Sequence, residues 1–384
     1  MPNNPMLLKL NEAEQERLST RIDEDYRLAR DAHNVRMGKL VEAYRRFRNR
    51  TPGAPATEAR KPQFRVPIVQ WTCFGKWANT LQSLFGDDAE IIAKPVGPSD
   101  HKNVMKVGRY QTWRIFESMK AQMAIATWAF RAILFGRAFA YRPWRKRTFA
   151  TPGGGQEKYY EGPCVEPLWP DDLILPAEDC TNIQEFSFVI RKYRATPQQL
   201  LEGEQAGMYT GIRDRFSEIM GWSQGERERD FEGDDVKQEK DDAEGVTYNV
   251  AGEGRGAMVV YEWYGKWRMP KSRANEGADE YDLKAREMEQ TDVVVRYIPS
   301  MQMVIGVAKL MDLYPKMKNR RPFSELAISV DGAYWPMGLG ELLSDIEDEA
   351  TDNHRLFTEA GKLSVGPVIF ARPDAAAALS DPTF

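Results

Sequence analysis

The sequence of 384 residues predicts an α+β protein with more than one domain. Apolar side chains recur at steps of three and four near both ends, as on one face of an α-helix. Several central segments alternate apolar and polar residues instead, as β-strands do. Hydrophobic residues make up 42% of the chain and aromatic residues 11%, which is enough for packed cores and excludes wholesale disorder.

The first predicted unit, residues 1–60, is a long helix followed by a basic loop. Leu18, Ile22, Met37 and Phe47 belong to an apolar series that predicts a helix over 12–48. Its last turns carry Arg45, Arg46 and Arg48, and cations suit the negative end of a helix dipole. Proline and glycine then predict a loop.

The second predicted unit, residues 61–257, mixes helices and strands. Helices are expected at 68–85, 104–116, 120–135 and from Thr196-Pro197 onward, and strands at 89–94, 137–147, 158–165 and 186–194. PGGG at 152–155 predicts a hairpin turn. The segment 226–245 holds ten acidic and four basic side chains with almost no apolar ones, so we expect a solvated loop.

The C-terminal part is predicted as two further units. Residues 258–335 are rich in strand patterns, at 258–267, 291–298 and 301–307, with a polar loop at 271–280. Residues 336–384 contain a helix over 338–360 and a strand over 365–371.

Charge and cysteine content narrow the function classes. Residues 1–150 hold 27 basic and 14 acidic side chains and the remainder 26 and 43, an asymmetry that indicates a charged partner. The longest apolar stretch is too short to span a membrane, and the N-terminus has no secretory pattern. Three scattered cysteines indicate a reducing compartment. With three scattered histidines, they leave no metal site to predict, and we expect no cofactor.

One sequence pattern matches an enzyme motif, but its surroundings argue against an active site. Gly221-Trp-Ser-Gln-Gly225 matches the nucleophile elbow around Ser223, but that chemistry needs a strand before the serine and a helix after it. Here a helical stretch precedes Ser223 and a charged run follows. A serine hydrolase, or a packaging nuclease with an acidic metal site, therefore remains the weaker alternative to a protein with no active site.

Three cationic clusters could contact nucleic acid or an acidic protein. Basic side chains among aromatic ones hold phosphates and stack on bases, although a solvated face has the same composition. The first cluster is Arg45, Arg46, Arg48, Arg50, Arg60, Lys61 and Arg65; the second is Arg142, Arg145, Lys146 and Arg147, with Trp144 between them; the third is Lys316, Lys318, Arg320 and Arg321.

The order of several motifs resembles the portal protein of tailed bacteriophages. These motifs are Phe64-Arg-Val-Pro-Ile-Val before a Trp-bearing helix, Ile133-Leu-Phe-Gly-Arg-Ala-Phe-Ala-Tyr-Arg-Pro-Trp, Val165-Glu-Pro-Leu-Trp-Pro-Asp-Asp, Phe186 to Thr196, Tyr297-Ile-Pro-Ser, Arg321-Pro-Phe and Tyr334-Trp-Pro-Met-Gly-Leu-Gly-Glu. Together they cover about residues 60–370. No one motif is specific, and the resemblance depends on their order.

The resemblance implies a portal-like subunit with a helical and β-stranded wing (61–257), a small β-rich clip with part of the stem (258–335), and a long stem helix truncated before the crown (336–384). It implies a virion protein, assembled in the host cytoplasm, that forms a dodecameric ring around double-stranded DNA. The implied partners are the terminase large subunit, head-tail adaptor or tail proteins, and the capsid and scaffolding proteins. The stem helix exposes several acids, Glu347 and Glu349 among them, and the channel-facing candidates are Glu341, Asp345, Asp348 and Asp352.

Overall fold

The computed structural model describes residues 7–8, 10–49, 65–86, 91–98, 100–150, 156–225, 257–270, 288–328 and 333–365. Helices and strands both contribute to the cores of this part of the chain, which confirms the α+β class. The segments expected to form the hairpin turn at 152–155, the acidic loop at 226–245, the polar loop at 271–280 and nearly all of the strand at 365–371 lie outside it.

The helices and strands follow the predicted order with several changes. The helices are α1 (Glu12–Phe47), α2 (Ile68–Phe85), α3 (Val104–Trp113), α4 (Gln122–Phe135), α5 (Pro197–Gln205), α6 (Phe216–Gly225), α7 (Leu310–Leu313), α8 (Leu339–Leu342) and α9 (Ser344–Val365). The strands are β1 (Arg137–Tyr141), β2 (Trp144–Ala150), β3 (Gln156–Pro163), β4 (Glu166–Pro167), β5 (Leu173–Ile174), β6 (Val189–Ala195), β7 (Met258–Pro270), β8 (Met288–Ile298), β9 (Met303–Lys309) and β10 (Phe323–Ala327).

Helix α1 connects two of the hydrophobic cores. A capping box begins it, in which the side chain of Asn11 accepts from the Glu14 N–H and the Glu14 carboxylate accepts from the Asn11 N–H. Leu18 and Ile22 in its first half pack in the core beneath the large sheet, whereas Met37 and Leu40 in its second half pack with α2 and α4. Its 36 residues make this possible, since a helix rises about 1.5 Å per residue.

The large sheet has five antiparallel strands in the order β5-β6-β7-β8-β9. Strand β6 pairs with β7 over seven residues, from Val189 opposite Tyr264 to Ala195 opposite Met258. The predicted division between units at 257 and 258 therefore separates neighbouring strands of one sheet, and this boundary is wrong. Strands far apart in the sequence can pair with each other, and a local sequence pattern does not reveal which strands do so.

A smaller sheet, in the order β10-β1-β4, lies against α4. The strand predicted over 137–147 is divided into β1 and β2, and β2 pairs with β3 instead. Gly136 joins α4 to β1 at a φ of +87°, and an added Cβ would lie 2.0 Å from the Pro336 carbonyl oxygen. Only glycine fits this turn, because it combines a left-handed backbone with a close backbone approach.

Two further predictions fail in detail. Residues 91–94 form no strand; this segment packs against α3, where the Ile91 N–H donates to the Thr112 hydroxyl. The helix expected over 338–360 is two helices, because the chain turns at Leu343 between α8 and α9.

Candidate interaction surfaces

Helix α9 is held on one side by a buried carboxylate. Glu347 is 0% exposed: one oxygen accepts from the Val69 N–H at 2.8 Å, and the other lies 2.7 Å from Nε of Arg65. The Thr351 hydroxyl accepts from the Val66 N–H one turn later. The expectation that Glu347 belongs to the exposed acidic face is therefore wrong. Because helix α2 begins with unsatisfied N–H groups, a carboxylate beside it is stabilised there.

Asp348 continues this attachment to α1. Both of its carboxylate oxygens accept from the Arg46 guanidinium, at 2.8 and 2.9 Å, and Nη2 of Arg65 lies 3.2 Å away. The hydrogen bonds from Arg46, with the charges of both arginines, hold the pKa of Asp348 below its usual value. Arg46 also donates to the Ser344 carbonyl. We call Arg46, Arg65, Glu347 and Asp348 the α9 anchor.

Glu341 of α8 is paired with α1 as well. Its carboxylate lies 3.4 Å from Nη1 of Arg36 and 3.3 Å from Nζ of Lys39. Glu341 and Asp348, two of the four channel-facing candidates, thus form ion pairs within the chain. Asp345 and Asp352 are exposed, and Asp352 lies 3.4 Å from Arg355 of the next turn.

A second side of α9, about 100° or less round the helix from Glu347, carries exposed apolar residues. Ile346 and Phe357 lie on one line of the helix with Ala350 between them. Ile346 is 55% exposed and Phe357 79%. We call these three residues the α9 stripe. Asp345, Asp352 and the exposed Leu356 lie on a third side, and Glu349 lies between that side and the stripe.

A second exposed apolar surface lies on α3, whose only buried residue is Gly108. Opposite that glycine, Lys106, Tyr110 and Trp113 point outward, with Met105 at the edge; the rings of Tyr110 and Trp113 lie 6.0 Å apart. Trp113 is 53% exposed and Met105 72%. We call these four residues the α3 face. Contiguous exposed apolar side chains of this size indicate an interaction site.

The first predicted cationic cluster is only partly available to a partner. Arg46 belongs to the α9 anchor, and Arg45 is half-buried at the end of α1. Arg48 is exposed at the helix end. Within this cluster, the positive charge of Arg46 therefore holds the acidic helix α9.

The second and third clusters divide in the same way. Arg145 is exposed and lies 2.7 Å from Glu166, whereas the side chains of Lys146, Arg147 and Lys316 are outside the described part. Lys318 and Arg320 are exposed. Arg321 is buried and donates to the carbonyl oxygens of Ile183 and Phe186, and burial lowers its pKa. Its assignment as a contact residue is wrong, because this guanidinium holds a loop.

A buried ion triad lies at the centre of the large sheet. Glu262 of β7 accepts from Arg191 of β6 at 3.0 Å and from Arg296 of β8 at 3.1 Å. Burial alone would raise the pKa of Glu262, but the charges of Arg296 and Arg191 outweigh it and the pKa is lowered. Tyr141 stacks on Arg191, whose guanidinium lies 3.9 Å from the ring centre.

The sequence analysis missed this triad. Its signal in the sequence is weak: Glu262 and Arg296 interrupt apolar runs, whereas Arg191 lies in a strand with two further basic residues, Lys192 and Arg194. Nothing in the sequence assigns those strands to neighbouring positions.

The backbone around Ser223 does not form a nucleophile elbow. This residue lies within α6, and the residues before it are helical, so the strand that a nucleophile elbow requires does not lead to it. In the described ranges, no group of three or more potential metal ligands lies close enough together to hold a metal ion. The described helices also include none that is long and apolar enough to cross a membrane.

Comparison with known proteins adds no family. No protein-family model matches the chain, and no curated protein is similar to it.

Proposed function

We propose that this chain is the subunit of a portal ring, the conduit at one capsid vertex through which double-stranded DNA is packaged and later ejected. The observation that carries the proposal is the division of α9 into three sides. One side is fixed to its own chain by the α9 anchor, a second exposes the α9 stripe, and a third exposes Asp345 and Asp352. A helix between two neighbours and an open channel needs these three sides.

Two different apolar surfaces on one chain support a ring. When the same patch meets itself, association stops at a dimer, whereas two distinct patches produce head-to-tail contacts that close into a ring or extend as a filament. The α9 stripe and the α3 face differ in shape and in charge. Together with the motif order, this favours a closed ring of about a dozen copies, the number that the resemblance to portals implies.

The acid row of α9 would face the DNA. Because Glu341 and Asp348 are paired with α1, this role falls to Asp345 and Asp352. Acidic side chains make no counterion-releasing contacts with phosphates, so the duplex would slide without being held.

Replacing both acids by asparagine tests this role. We expect ring assembly to remain and DNA packaging to fall, measured as DNA protected from nuclease in an in vitro packaging reaction. Glu218→Gln on α6, an exposed acid outside α9, is the matched control. Impaired ring assembly would mean that the two acids serve subunit contacts instead, and normal packaging by intact rings would contradict the channel role.

The exposed cations of the third cluster are the proposed docking site for the terminase large subunit and, after packaging, for head-tail adaptor or tail proteins. Lys318→Glu with Arg320→Glu should weaken terminase binding in a pull-down and leave the ring intact. Arg321 is left unchanged, because it is buried. Unaltered terminase binding would count against this assignment.

Electron microscopy of the purified chain tests the proposal as a whole. We expect annular particles with a central hole and, in infected cells, co-purification with the major capsid and scaffolding proteins. A protein that remains a monomer and hydrolyses an ester would support the hydrolase alternative at Ser223.

A further inference from the structure

The α9 stripe needs an occupant. Its exposed residues lie away from the contacts of the anchor, so the described part of the chain leaves them in water. Isoleucine and phenylalanine exposed together on a helix fixed in place are typical of a surface that a protein covers. The bordering charge is negative, because Glu349 lies one turn after Ile346, between the stripe and the acid row.

The α3 face has the matching properties. It is apolar and aromatic, it contains a tryptophan and a tyrosine as the side chains that most often anchor interfaces, and its charge is positive. Lys106 lies between Tyr110 and Met105, and Lys102 lies two residues before the helix begins. Acidic and basic apolar surfaces on the same chain are complementary between copies.

A nucleic acid is the competing occupant for the α3 face, since cations among aromatic rings can bind single strands. The aliphatic neighbours favour a protein. Met105 and, in the segment packed on α3, Ile92 and Val96 are all strongly exposed, and such side chains offer no stacking surface to bases.

We propose that the α9 stripe of one copy docks on the α3 face of the next copy, with Phe357 and Trp113 as apolar anchors and Glu349 opposite Lys106. This contact rests on the ring proposed above and specifies its interface. It is heterologous, so each copy offers one surface to each neighbour, and repetition of the contact closes a ring when the rotation between neighbours divides a full turn.

Two charge reversals test the contact. Lys106→Glu and Glu349→Lys each place like charges opposite each other, so each variant alone should need a protein concentration about tenfold higher for half-assembly, by mass photometry. The doubly changed chain should assemble as the wild type does, because both charges are exchanged. Lys318→Glu and Asp214→Lys are controls, since both residues are exposed and lie outside the two surfaces.

Mixing the two single variants gives a sharper test. A chain with Lys106→Glu and one with Glu349→Lys are complementary at both contacts, so the mixture should form rings in which the two chains alternate, with even copy numbers only. Labels on the two variants would show equal proportions in each particle. Rings from the mixture, at a protein concentration at which neither variant alone assembles, are the result that the proposed pairing requires.

The apolar anchors give a second measurement. Phe357→Ala and Trp113→Ala should each reduce assembly by more than tenfold while the circular dichroism spectrum is unchanged, because both side chains are exposed in the single chain. The same Trp113→Ala variant separates protein from nucleic acid. Loss of single-stranded DNA binding with normal assembly would overturn the proposal in favour of the competing occupant.

The outcomes distinguish this inference from the proposed function. If the wild-type chain forms no ring, the portal proposal fails. If the wild type forms rings and all four variants assemble normally, the portal proposal stands and the α9–α3 contact is wrong.

Discussion

The large sheet and the helices α3 and α9 use similar side chains in opposite ways. In the sheet, aromatic and charged residues are enclosed: Tyr264 is buried, and Glu262 is shared between two arginines. On α3 and α9, Trp113 and Phe357 project into solvent next to exposed charges. The difference indicates that contacts within one chain stabilise the sheet. Under our proposal, contacts between chains complete the helical surfaces.

The largest expected effect comes from breaking the ion triad. Glu262→Gln leaves two buried guanidinium groups without a counter-charge, so we expect the free energy of unfolding to fall by about 3–5 kcal/mol. Urea denaturation followed by circular dichroism measures it. Glu289→Gln, at an ion pair whose carboxylate is 42% exposed, is the control and should change it by less than about 1 kcal/mol. Equal losses in the free energy of unfolding would show that the triad stabilises the fold no more than the exposed ion pair does.

A matched pair of apolar truncations compares the two regions directly. Ile305→Ala in β9 creates a cavity in the core and should cost about 2–5 kcal/mol, whereas Phe357→Ala on α9 should change the stability of the unassembled chain by about 0.5 kcal/mol or less. Both are measured by denaturation below the assembly concentration. A large loss of stability for Phe357→Ala would show that the Phe357 side chain packs against its own chain.

The α9 anchor should give an intermediate effect. Asp348→Asn removes the charge that pairs with Arg46 and Arg65, and because the carboxylate is half exposed we expect a loss of about 1 kcal/mol. Hydrogen exchange of the amides in the first turns of α9 should be faster. Exchange at the wild-type rate would mean that Glu347 alone holds the helix.

The same anchor predicts a pH dependence with a defined sign. The pKa of Asp348 is lowered in the folded chain, so its contribution is fully present above the ordinary value of 3.8 and is lost as the pH falls through the lower folded value. The protection of amides at the start of α9 against hydrogen exchange, corrected for the intrinsic rate that itself falls towards acid pH, should therefore decrease below about pH 4. In the Asp348→Asn variant this part of the pH dependence should disappear, and its persistence would assign it to another group.

The smallest effect concerns the thiol of Cys73, which lies in the core beneath the anchor. Burial, with a further contribution from the charge of Glu347, raises its pKa to about 12. We expect Cys73 to react with iodoacetamide at pH 8 far more slowly than the half-buried Cys180, and to react faster in Asp348→Asn. Mass spectrometry of the labelled peptides measures both rates. Rapid labelling of Cys73 in the wild type would show that the anchor opens readily.

The sequence predicts the long helices well, because their signal is local. The series from Leu18 to Phe47 gives α1 within one residue of its end, and Thr196-Pro197 marks the start of α5. The division at 257 and 258 fails because pairing between β6 and β7 is a property of the fold. The prediction of one helix over 338–360 fails for a similar reason. The helices α8 and α9 share one apolar period, but α8 packs mainly on α1 and α4, whereas α9 packs mainly on α2.

The sequence predicts which residue types form the candidate site, but not which of these residues lie together. The acids of α9 and the arginines of α1 stand out in the sequence as separate charged groups, but about 300 residues separate Arg46 from Asp348, and no spacing rule brings them together. Burial also divides neighbours of the same type: Arg320 is exposed and Arg321 is enclosed by backbone carbonyls. The interface proposal depends on the exposure of Phe357. That exposure depends on which side of α9 the anchor holds.

The number of copies in the native particle tests the central claim most directly. Mass photometry of the purified full-length chain, with electron microscopy of the same sample, should give closed rings of about a dozen copies around an open hole. A species that remains a single chain at all protein concentrations would contradict the account.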